Sequence, residues 1–310
     1  MSSSHSATVR DRARRGLAVF LTLVVVSNAV FVWLLLSTGN MLWIFGLMWS
    51  VALSSVITRL VLREGFSDVS FRFGGRRSWR WVGFGLLYPL AVGFVSFGVA
   101  WLTGLAAFTP TAKGLVASIV PADAAPWVVF LVGLLLASSV GTVFGCLSAA
   151  GEEIGWRGYL LTRLIDAGVP KPVLVSGLIW GLWHTPVIIG GLIYADHPVR
   201  WLAVLVFMIS AVAMSFVIAR ARLETGSIWP PIVLHAAYNS IIQGGFAPAA
   251  SGPAAPVWIS AMEASLLVAA TLVVGAVLVS RGTWSYRWTP GQADRSPASP
   301  ADRVTPLAGA

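Results

Sequence analysis

Only one cysteine, Cys146, occurs in the 310 residues, and charged residues make up just 11% of the chain. A lone thiol rules out an intrachain disulfide framework, and Cys146 reads as a small buried apolar residue rather than a reactive group. The shortage of charge matters more, because soluble domains carry about 25% charged residues. Here 57% of residues are hydrophobic, and they fall in long uncharged runs rather than in strand or surface-helix periods. That pattern excludes a soluble globular fold and makes the chain an all-α, polytopic membrane helix bundle. No internal repeat is evident, and no His-Glu-x-x-His segment is present.

A span needs roughly 20 apolar residues. Splitting the longest run at Ser37-Thr38-Gly39-Asn40, and a later one at the breaker-rich 244–256, predicts about eight transmembrane helices near 16–37, 41–62, 81–104, 127–150, 172–194, 201–221, 228–244 and 257–280. The first is too long an apolar run for a cleaved signal and is read as retained. The expected organisation is a basic tail over 1–15, one membrane-embedded domain over 16–282, and a Pro/Ala/Ser-rich, disordered tail over 283–310.

Basic residues mark sidedness, because Lys and Arg are retained in the cytoplasm during insertion. With both termini cytoplasmic, 19 of the 21 Lys and Arg residues lie inside, and only Lys113 and Arg200 lie outside. The net charge of +9 is spread over loops bordering spans, where facing anionic headgroups is a sufficient role, so no nucleic-acid partner is expected. Residues 63–80 mix Phe and Trp with Arg, which suits either an interfacial segment or a solvated positive-inside loop. The expected location is the cell membrane, with the lipid bilayer itself as a partner.

A charge at mid-bilayer costs about 2.5–3.5 kcal/mol on insertion scales, so ionisable residues within spans are functional candidates. They are Glu152, Glu153 and Arg157 at the end of the fourth span, His184 in the fifth, His235 and Asn239 in the seventh, and Glu263 in the eighth. Glu153 and Arg157, four apart with the acid first, share a helix face and can neutralise each other. Glu152 is turned by about 100° toward the face of Trp156, which leaves it without an obvious intrahelical partner, as suits a general base. At 1.5 Å per residue, His184 lies roughly 18 Å and His235 roughly 10 Å from the cytoplasmic ends of their helices, with Asn239 one turn deeper than His235. Glu263 lines a cavity or, more simply, sits at a helix start favoured by the dipole.

The ordered set Glu-Glu-x-x-x-Arg at 152–157, aromatic-x-x-x-His at 180–184 and His-x-x-x-Asn at 235–239 resembles the motifs of the CPBP family of CAAX-processing type II prenyl endopeptidases, or glutamate-type intramembrane proteases, which includes bacteriocin-immunity relatives. The resemblance covers roughly 125–245 and includes Gly-Ser-Ile-Trp-Pro-Pro before the last motif; Trp180 stands where the family usually has Phe. It implies hydrolysis of a membrane-associated peptide or protein. Glu152 would activate water with help from His184, His235 and Asn239 would hold the oxyanion, and Glu153, Arg157 and Trp180 would support them.

Two histidines and a glutamate could also form a His2Glu zinc site, but without a compact zinc signature a cofactor-free glutamate mechanism is favoured. The alternative is a non-catalytic immunity or partner-binding membrane protein keeping the motifs as a polar core. A transporter is disfavoured because Pro230-Pro231 opens its span instead of breaking it and no inverted repeat is seen.

Overall fold

The computed structural model describes residues 2–259 and 264–281; Glu263 and the 283–310 tail lie outside the described residues. Most of the described chain is helical, with one two-stranded pairing of Ala107–Phe108 and Ala250–Ser251, so the all-α bundle expected from hydropathy is what forms. The principal helices are α1 (Ser2–Thr38), α2 (Leu42–Leu62), α3 (Arg76–Thr103), α4 (Pro126–Asp166), α5 (Pro172–Ile189), α6 (Arg200–Thr225), α7 (Trp229–Asn239) and α8 (Leu266–Ser280). Six of them, α1 to α6, are long and apolar enough to cross a membrane. The helix α7 runs on only through a π-helical stretch, Ser240–Phe246, and α8 has 15 residues.

Several boundaries differ from the expected ones. Residues 2–15, read as a tail, continue the first helix. The fourth helix does not stop at 150 but runs to Asp166, passing through π segments at Ala137–Gly141 and Trp156–Leu160. Its polar residues do not end it, because they are enclosed by protein: Glu152, Glu153 and Arg157 are all almost fully buried. The fifth stops at Ile189, five residues early, where Gly190-Gly191 supplies a positive φ of 69° at Gly191.

The loops expected on one side meet at one end of the bundle. The Arg10 guanidinium lies beside Gly168, Ile228 N–H donates to Ser70 O at 3.1 Å, and Arg220 donates to Arg281 O at 3.1 Å. At the opposite end Thr109 and Thr111 bond the 248–249 backbone, and the 194–197 turn faces residues 247–259 across a cavity of about 340 Å³.

The core holds α4 against α2 by glycine. An added Cβ on Gly155 would stand 2.5 Å from Val51 Cγ1 and 2.7 Å from Val51 O, and one on Gly151 would stand 2.9 Å from Trp49 Cα. Two glycines four apart therefore bring the α2 backbone against the turn carrying Glu152 and Glu153. Gly155→Ala is expected to destabilise the protein by about 1–3 kcal/mol through overpacking, seen as a lowered thermal midpoint in detergent.

Candidate active site

Glu152 is 2% exposed, and one of its oxygens, Oε2, accepts two indole N–H bonds: from Trp156 at 3.2 Å on its own helix and from Trp180 of α5 at 2.8 Å. Glu152 therefore has an intrahelical partner after all. The sequence places Trp156 on the face of Glu152, but an indole donor carries no charge and so leaves no ion-pair signature. Both bonds fall on Oε2, which leaves Oε1 as the oxygen with acceptor capacity to spare.

The neighbouring carboxylate does different work. Glu153 Oε1 accepts from Arg157 Nη1 at 2.7 Å, the expected i,i+4 pair, and from His235 Nδ1 at 2.8 Å. Arg157 also donates to Ser215 Oγ of α6 at 3.2 Å and lies over the Trp180 ring, 4.7 Å from its centroid. One buried guanidinium thus ties α4 to α5 and α6. Glu153 Oε2 is buried with no hydrogen-bond partner among the described residues.

The two histidines are oriented through Nδ1. His184 Nδ1 lies 2.9 Å from Trp180 O, and since a carbonyl only accepts, Nδ1 carries the proton. The same reasoning at Glu153 puts a proton on His235 Nδ1. In both rings Nε2 is the nitrogen left for chemistry. The Trp180 ring joins the two, with centroids 5.7 Å from His184 and 5.4 Å from His235. Trp183 and Phe207 complete the aromatic wall around His184, at 4.7 and 4.6 Å. His184 lies within electrostatic reach of both Glu152 and His235.

The structure therefore brings Glu152, Glu153, Arg157, Trp180, His184 and His235 into one cluster from α4, α5 and α7. Asn239 is half-buried one turn beyond His235, and its side chain makes no hydrogen bond among the described residues. The α4 and α7 helices each switch to π register within a few residues of their motif, at Trp156 and at Ser240, and such bulges are frequent at functional sites. Ser215 and Phe207 went unnoticed in the sequence, since a serine and a phenylalanine inside an apolar span carry no signal of their own. Cys146, expected to be buried, is half-buried beside Ala149, Ile232 and Ala236.

No three His, Cys, Asp or Glu side chains among the described residues form a metal-ligand group.

Residues 125–241 match the family model described as type II CAAX prenyl endopeptidase Rce1-like. The Rce1-like segment holds every member of the cluster and agrees with the CPBP resemblance of the motifs. No curated protein matches the chain. A match to a membrane-protease family and six helices able to cross a bilayer together make this a multi-pass membrane protein.

Proposed function

We propose that the protein is an intramembrane endopeptidase that hydrolyses a peptide bond in a membrane-associated peptide or protein, using Glu152 to activate water without a metal. The observation that carries this reading is the double indole clamp: with Oε2 occupied by Trp156 and Trp180, Oε1 is the face of the carboxylate available to a water molecule. The base is Glu152, with His184 Nε2 as a second acceptor orienting the same water. Attack on the peptide carbonyl makes a C–O bond and places negative charge on the carbonyl oxygen. His235, as an imidazolium donating through Nε2 while Nδ1 holds Glu153, and Asn239 through its amide, would stabilise that oxygen. Collapse breaks the C–N bond, and the proton taken by Glu152 passes to the departing amine. Eight membrane passes with both termini in the cytoplasm, and a site opening toward that side, accord with the charge asymmetry and with the gathering of the basic segments at one end.

Terminus-resolved proteomics of membranes from cells carrying wild type or Glu152→Gln tests this. Protein termini present only with wild type are expected; identical sets at equal protein levels would leave the motifs as a polar structural core. Trp180→Phe keeps the ring and loses the N–H. Because a hydrogen bond to a charged group is worth about 1.5–3 kcal/mol, it is expected to slow formation of those termini by roughly 10-fold or more.

A further inference from the structure

The segment 63–75 joins two consecutive membrane-crossing helices, α2 and α3, and therefore sits at the edge of the bilayer. It is not a loose loop. Asp68 and Val69 are buried, and Asp68 is held by the guanidinium of Arg59, by Arg163 at 3.2 Å, and through its carbonyl by Arg222. Arg59 also donates to Gly65 O at 2.8 Å and to Gly158 O at 2.9 Å, and Trp229 Nε1 donates to Phe71 O at 2.7 Å. The segment is thus strapped onto the bundle by three buried arginines from α2, α4 and α6.

Its outer side is different in kind. Phe66, Phe71, Phe73 and Trp79 are 44%, 51%, 40% and 66% exposed, an unusual set of aromatics for one short surface stretch. Interleaved with them are Arg63, Arg72, Arg76 and Arg80, all exposed, and none is in an ion pair among the described residues. The acids of the strap do not offset them, because Glu64 and Asp68 are both turned to Arg163. Phe73 packs on Trp79 at 4.6 Å, which fixes aromatic rings beside the guanidinium groups.

We propose that the strap and the first turn of α3 form a preorganised docking surface for the headgroups of anionic phospholipids. The guanidinium forks match phosphate geometry, and aromatic rings settle at the headgroup level. The buried anchors hold the segment in one shape before any lipid arrives, so less ordering entropy opposes binding than in a flexible basic loop. Lipid is favoured over nucleic acid because the surface flanks two membrane helices and its aromatics are staggered among the arginines at the bilayer edge.

The test uses the full chain reconstituted in phosphatidylcholine bilayers with trace spin-labelled phosphatidylglycerol or phosphatidylcholine. Electron paramagnetic resonance then gives the preference for one over the other. Wild type is expected to prefer phosphatidylglycerol at least about 3-fold more strongly than a variant carrying Arg63→Gln, Arg72→Gln, Arg76→Gln and Arg80→Gln, and 1 M salt is expected to weaken the preference. A variant with Lys at the same four positions keeps the charge and is expected to retain part of it, which separates a lost surface from a misfolded one. Equal preference in wild type and the Gln variant overturns the proposal. So does a wild type with no preference that instead binds a single-stranded oligonucleotide.

Discussion

Glu152→Gln is expected to slow peptide-bond cleavage by about 10²- to 10⁴-fold while leaving the fold intact, the range that a positioned general base contributes. The substitution is close to isosteric, and the new amide oxygen can still accept the Trp180 N–H that now reaches Oε2 at 2.8 Å. No buried charge is orphaned, because Glu152 has indole rather than guanidinium or ammonium partners. What is lost is the ability to take a proton from water. The check is the rate at which wild-type-specific termini appear after induction, read beside the thermal midpoint of each purified protein. Wild-type rates in the variant would remove the hydrolase reading, and an unchanged midpoint with a large rate loss would place the effect in chemistry.

The adjacent residue should behave in the opposite way. Glu153→Gln leaves Arg157, 1% exposed, without its carboxylate, and breaking a buried pair by removing one partner costs about 3–5 kcal/mol. The variant is expected to unfold on the order of 10 °C lower than wild type, and to lose cleavage with it, since His235 is held by the same oxygen. Adding Arg157→Met to Glu153→Gln removes the stranded charge and should recover much of the midpoint without recovering cleavage, which distinguishes electrostatic stranding from a packing fault. A midpoint within a degree of wild type in the single variant would mean that the pair does not hold the bundle. Two consecutive glutamates thus divide the labour: one serves the reaction and the other serves the scaffold.

That division was partly legible beforehand. The four-residue spacing of Glu153 and Arg157 announced their pairing, and the 100° turn between successive residues separated Glu152 from it. Of the two indole partners of Glu152, Trp180 could not be assigned from spacing, because it lies 28 residues away and reaches Glu152 only once α5 packs on α4. The reading of the arginines failed more broadly. Assigned with the rest to headgroup-facing loops, Arg59, Arg163 and Arg222 are instead buried, each bonded to carboxylates, backbone carbonyls or both. The clue was the presence of Glu64, Asp68 and Asp166 inside otherwise basic segments, where an acid has no reason to sit unless an arginine turns inward to meet it.

The sequence alone was enough to make this an all-α membrane protein with its candidate site residues on the fourth, fifth, seventh and eighth spans, because hydropathy and helical periodicity are local properties that neighbouring residues carry between them. Whether those polar residues share a chamber, which oxygen of Glu152 is left open, and which arginines face inward were decided by packing across helices. Those contacts join positions tens of residues apart, fixed by glycines that let backbones approach and by ion pairs that form only where protein has replaced both water and lipid.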